Sequence, residues 1–132
     1  MPQITITIPK NEWWTQNRRG HWRTCHQHTS AVKRRSLLIA RQWLHEGHRP
    51  PSQWPVHVTA VIHPLTHGRF DPENAAPMVK AIIDAFTQAG IWPDDDGTHI
   101  IGPDYRPGEP SDRKGWYRID IKIEQMFERK QK

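Results

Sequence analysis

The run Val56-His57-Val58-Thr59-Ala60-Val61-Ile62-His63, with Ala76-Pro77-Met78-Val79-Lys80-Ala81-Ile82-Ile83-Asp84-Ala85-Phe86-Thr87-Gln88-Ala89-Gly90 after it, changes its hydrophobic period part-way. In the first part Val56, Val58, Ala60 and Ile62 face one way and His57, Thr59 and His63 the other, which predicts a half-buried strand. In the second part Val79, Ile82, Ile83 and Phe86 recur at helical spacing. Pro77 falls in the first turn, where its missing N–H does no harm, and Gly90 closes the helix. A strand followed by a helix of this kind is the unit from which the rest is built.

Outward from it the same two periods recur. Residues 3–8 alternate strictly and put Ile4, Ile6 and Ile8 on one face, a strand. Residues 9–28 have no period and are rich in Trp, Arg and His, so they read as a long loop of the functional kind. Thr29 or Ser30 caps a helix running to about Glu46, with Gly47 as its stop and Val32, Ser36, Ile39, Ala40, Trp43 and Leu44 facing inward. Residues 49–55 form a Pro-rich linker. A short strand is expected near His99-Ile100-Ile101, then a Gly/Pro-rich loop over 102–114. A last strand over 116–124 carries Ile119, Ile121 and Ile123. The order β-α-β-α-β-β predicts an α+β fold, a two-layer sandwich of a mixed sheet and two main helices.

With 132 residues the chain is read as one domain. Its net charge of +5 conceals a segregation. Residues 1–50 hold nine basic and two acidic side chains, residues 66–112 three and nine, and residues 113–132 seven and three. An acidic centre between basic flanks suits the holding of a polyanion. No apolar run approaches the roughly 18 residues that span a bilayer, and the N-terminus lacks the charged-then-apolar pattern of a secretory signal. Cys25 is the single cysteine, which excludes an internal disulfide and a multi-cysteine zinc site and leads us to expect a reducing cytoplasm. The spacing of His21, Cys25, His26 and His28 fits no structural zinc pattern.

The acidic centre has two ends. Asp71 and Glu73 lie in a turn before the second helix, and Asp94, Asp95 and Asp96 lie beyond it. A helix of about 14 residues is on the order of 20 Å long, so the ends meet only if the segment after Gly90 folds back along it. Converging carboxylates repel unless a cation joins them, and oxygen-only ligation suits Mg²⁺ or Mn²⁺. The plainer reading is a solvated turn, for which Asp94-Asp95-Asp96-Gly97 has good chemistry. Asp84, four residues after Lys80, reads as a surface pair.

Three segments together, Phe70-Asp71-Pro72-Glu73-Asn74, Lys80-Ala81-Ile82-Ile83-Asp84-Ala85-Phe86 and Ala89-Gly90-Ile91-Trp92-Pro93-Asp94-Asp95, resemble the signature of RusA-type Holliday-junction resolvases. The opening Ile8-Pro9-Lys10-Asn11 and the closing isoleucine strand are similar too, so the resemblance spans most of residues 3–124 and is strongest over 69–96. It implies a homodimeric Mg²⁺-dependent endonuclease, with Mn²⁺ as a substitute, that places paired nicks across a four-way DNA junction. By position it implies a catalytic segment over 69–96 with Asp71, Glu73, Asp95 and Lys80 as its catalytic groups. Asp71, Glu73, Asp95 and Asp94 are the metal ligands it implies. Asn11, Arg69 and Asn74 are implied on the DNA side, and the origin is bacterial or phage. Two departures from the family pattern stand out. Glu73 replaces an aspartate, and Lys80 lies farther beyond Asn74.

Arg18, Arg19 and Arg23 interleave with Trp13, Trp14 and Trp22, which reads either as phosphate contact with base stacking or as tryptophans packed on the core beneath solvated arginines. Lys33, Arg34 and Arg35 read as a solvated helix face, and the basic tail over 125–132, with Arg129, Lys130 and Lys132, as a nonspecific contribution to affinity. His57 and His63, on the polar side of their strand, are expected at the surface or facing DNA rather than as ligands. Besides a nuclease, the sequence is compatible with a catalytically inactive branched-DNA-binding protein of the same fold, or a regulator whose acidic face mimics DNA.

Overall fold

A computed structural model describes residues 2–126. Its elements are β1 (Gln3–Pro9), α1 (Trp22–His45), β2 (Val56–His63), α2 (Ala76–Ala89), β3 (Ile100–Pro107) and β4 (Trp116–Gln125), with 3₁₀ turns at Lys10–Glu12 and Pro72–Ala75. The strands form one sheet in the order β1-β4-β2-β3. β4 runs antiparallel to both β1 and β2, while β2 and β3 are parallel and joined through α2. The sheet is therefore mixed, and the fold is the expected α+β two-layer sandwich.

The register follows from the alternation. Ile121 lies opposite Ile4 on one side and Ala60 on the other, and Ile119 opposite Ile6 and Ile62. These residues, with Ile8, Val56, Val58 and Ile123, make one continuous apolar face. Met78, Val79, Ile82 and Phe86 of α2 and Val32 and Ala40 of α1 close the core over it. Burying each such side chain contributes about 1.5–3 kcal/mol.

Two boundaries differ from the sequence expectation. α1 begins at Trp22 rather than at Thr29 or Ser30. His21 is its cap, its Nδ1 accepting from the Arg23 amide at 3.0 Å, while the Thr29 hydroxyl donates back to the Cys25 and His26 carbonyls from inside the helix. The first turns are solvent-facing, so they carry no apolar period to reveal them. The expected loop from 102 onwards starts instead as strand, because β3 continues to Pro107. It lies at the sheet edge and pairs only with β2, where Pro103 and Pro107 cost it little. The register shifts between His57 and Thr59. There Gly102 has φ +105°, and a Cβ on it would stand 2.7 Å from the Val58 carbonyl oxygen. Only glycine fits that approach.

The outer sheet face is polar and partly covered. His63, expected at the surface, is buried. Its Nε2 lies 2.9 Å from Asp120 Oδ2 and its Nδ1 2.7 Å from the Glu109 carbonyl. Thr5 donates to the other Asp120 oxygen at 2.8 Å. The covering segment is tied down by Gly108 N–H to Ile62 O and Ser111 N–H to Pro64 O. His57, half-buried, pairs with Asp104 at 2.6 Å. The basic residues Arg129, Lys130 and Lys132 lie outside the described residues.

Candidate functional site

β1 delivers the chain to the Lys10–Glu12 turn, which is fastened by the Lys10 amide to the Gly115 carbonyl at 3.1 Å. Asn11 is exposed there. The next two residues turn inward. Trp13 stacks on Tyr117 with ring centroids 3.8 Å apart and planes within 7°. Trp14 is only 4% exposed. The Arg18 guanidinium lies 4.5 Å from its ring and His28 packs at 4.9 Å. Gly20 sits so close that a Cβ there would meet the indole at 2.8 Å. Trp14 is thus an anchor of the loop, and its ring is not free to stack on a base. This corrects the DNA-contacting role expected for it. Arg18, Arg19 and Arg23 remain at the surface. Arg35 is committed elsewhere, to a bidentate pair with Glu12 at 2.8 and 3.0 Å, which holds its guanidinium charged above the ordinary arginine range.

Beyond β2 the chain turns through Pro64–Phe70 into the acidic segment. Asp71 precedes the Pro72–Ala75 turn and its Oδ1 accepts from the Glu73 amide at 3.0 Å. Its own carbonyl accepts from the Asn74 amide, and the Asn74 carbonyl from Gln16 of the first loop. Those backbone bonds bring the two loops together around a cleft of about 470 Å³. Its floor is Trp13, Tyr117, Ile62 and Ala75, and its rim carries Thr15, Thr66, Arg69, Asp71 and Asn74. Burial pushes the Tyr117 phenol above its ordinary pKa.

A second groove, of about 300 Å³, runs between α2 and the β3 edge. Lys80, Asp84 and Asp95 line it with Tyr105. The chain after Gly90 places Asp95 on the same groove as Lys80, but not in the cleft that Asp71 lines. The aspartate triplet separates by role. Asp94 Oδ1 accepts from the Asp95 amide at 2.7 Å. Asp96 pairs with His99 at 2.6 Å and with Thr98 at 2.9 Å, and these bonds hold its carboxyl below the ordinary range. Of the three, only Asp95 lines the groove. Tyr105 is raised above the usual phenol pKa by burial and then by the nearby Glu73 charge. Asp71 belongs to the first cleft, and Glu73 lines neither. Lys80 and Asp84 form an exposed pair at 3.9 Å.

The donor set is chemically suited to Mg²⁺. Asp71 uses one oxygen on the turn, and neither it nor Glu73 or Asp95 is in an ion pair among the described residues. Mg²⁺ is commonly held by one or two carboxylates with waters and substrate phosphates completing its shell. Asp71 and Glu73 share one turn and are the two carboxylates that would take part in that mode, although only Asp71 lines the first cleft. No three His, Cys, Asp or Glu side chains among the described residues are arranged to hold an ion by themselves.

No protein-family model matches the chain, and no curated protein matches it. Among the described residues no helix is long and apolar enough to cross a membrane.

The resemblance grouped Asp71, Glu73, Asp95 and Lys80, whereas Asp71 lines the first cleft with Arg69 and Asn74, and Asp95 and Lys80 line the second groove. Sequence reasoning missed Tyr105, which fell in the expected loop, and Tyr117. The signal for Tyr117 was present, because it continues the 119, 121, 123 alternation toward the cleft end of the sheet.

Proposed function

We propose that this chain is a Mg²⁺-dependent, structure-selective endodeoxyribonuclease. In this reading it resolves four-way DNA junctions by paired nicks as a homodimer, in the manner of the RusA-type resolvases its acidic segment resembles. The observation that carries the reading is the Asp71 turn. A carboxylate with one oxygen uncommitted opens on a cleft rimmed by Arg69 and Asn74, beside a loop that presents Arg18 and Arg19 and leads into α1 at Arg23. Carboxylates beside a phosphate-binding surface repel the ligand unless a divalent cation lies between them.

Asp71 and Glu73 would hold that cation, while Asp95 lines the second groove. When bound, Mg²⁺ supplies a water of lowered pKa and neutralises charge on the phosphodiester. The chain's own residues do the rest. Arg69 and the exposed loop arginines hold backbone phosphates, Asn74 orients the strand, and Lys80 offsets negative charge developing in the groove. One cysteine and the family likeness support a reducing cytoplasmic setting in a bacterial or phage-infected cell.

A branched-DNA-binding protein that does not cut is the second reading. It is favoured by the distribution of Asp71 and Asp95 between two clefts. The test is incubation with labelled four-way, Y-shaped and linear DNA, with and without Mg²⁺. Nicking of the four-way substrate in Mg²⁺, lost in D71N, is expected. Junction binding in EDTA with no nicking when Mg²⁺ is added would establish the second reading. Unchanged cutting by D71N would remove Asp71 from the ligand set.

A further inference from the structure

We propose that the cleft between the first loop and the Asp71 turn receives a single unpaired nucleobase of branched DNA. This rests on the nuclease or junction-binding reading above and adds to it a base-binding subsite. The cleft floor is apolar and aromatic: buried Trp13 backs Tyr117 in a parallel stack, and the half-buried Tyr117 ring is the part of that stack left for a base to meet. A phosphate has no reason to enter such a floor, whereas a nucleobase gains there by stacking. The rim is polar in both senses. Thr66 and Asn74 offer donors and acceptors, as the Watson–Crick edge of an extruded base requires, while Arg69 and Asp71 stand beside them on the phosphate side. The Asn74 side chain makes no hydrogen bond within the chain among the described residues, so its amide is available to a ligand. A volume of about 470 Å³ admits a base with its sugar.

Position adds a further argument. Asp71 stands on the rim of this cleft, so a phosphate held beside Asp71 has its own nucleotide's base within reach of the floor. A branch point supplies unpaired bases at low cost, and a continuous duplex does not. The cleft would thereby contribute to selection of junctions over linear DNA.

The test is junction binding in EDTA, followed by fluorescence anisotropy, with each branch-point nucleotide replaced in turn by an abasic analogue that keeps the phosphate. For the unaltered protein, loss of the base at one position is expected to weaken binding about five- to 100-fold. Thr66 is exposed, so T66W obstructs the cleft mouth without touching the core. This variant should bind the intact junction as weakly as the unaltered protein binds the abasic one, with no further loss on the abasic junction. Equal affinity for intact and abasic junctions at every position overturns the base subsite and leaves the junction-binding reading standing. The same is true if T66W and the unaltered protein lose the same factor. Absence of binding to any junction at low salt overturns both.

Discussion

Asp94, Asp95 and Asp96 are chemically identical neighbours with three different tasks. The turn hands the Asp95 amide to Asp94 and sets Asp96 against His99 and Thr98, which leaves the middle carboxylate to line the groove with Lys80. The resemblance implied both Asp94 and Asp95 as ligands and did not separate their tasks. Which donors each side chain meets depends on how the turn closes, and spacing alone does not contain that. For Asp96 the consequence is measurable. Its hydrogen bonds to His99, the larger cause, and to Thr98 favour the charged form. Its folded pKa is depressed, so its contribution is complete above the unfolded value and is lost as pH falls through the folded one. A carbon-detected titration of the carboxyl groups should place the Asp96 midpoint below the ordinary aspartate value. H99Q should move it back up, and an unmoved midpoint would assign the shift to another cause.

At the scale of elements, legibility tracked burial. β2 and α2 could be read because each has one face wholly in the core, and a buried face writes its period into the chain. The first turns of α1 could not. Trp22, Arg23 and His26 face solvent, and the cap is a histidine rather than the usual hydroxyl or carboxamide. β3 was hidden for a different reason. It is an edge strand with two prolines, and its fit depends on Gly102 passing close to the Val58 carbonyl, a tertiary fact. In G102A the added methyl meets that oxygen, and φ +105° strains any side chain. A loss of about 2–4 kcal/mol is expected in urea unfolding. G97A serves as the reference, since nothing lies within 4 Å of a Cβ there. Its change should stay within about 0.5 kcal/mol. Similar midpoints for the two variants would mean that β3 does not need the close approach. Because β3 carries Tyr105 and one wall of the second groove, G102A should disturb that groove as well.

For the molecule as a whole, charge order along the chain becomes charge arrangement in space. The fold ties the Asp71 turn to the first loop through Gln16 and Asn74, and Arg69 and Asp71 share one cleft, with Arg18 and Arg19 on that loop and Arg23 in the first turn of α1. If DNA lies across that boundary, the two sides must respond differently to salt and to metal. Removing one arginine that neutralises a phosphate should flatten the plot of log affinity against log salt by about 0.9. Replacing Arg18, Arg19 and Arg23 together by alanine should therefore reduce the slope by about two to three between 50 and 200 mM salt. An unchanged slope would place the DNA away from this loop. D71N should act in the opposite sense in EDTA, tightening junction binding by removing a charge that repels phosphate. Adding Mg²⁺ should then strengthen binding of the unaltered protein more than that of D71N if, as proposed, the carboxylate that repels the phosphate alone also holds the bridging cation. Equal strengthening of the two would separate Asp71 from the metal and keep only its electrostatic role.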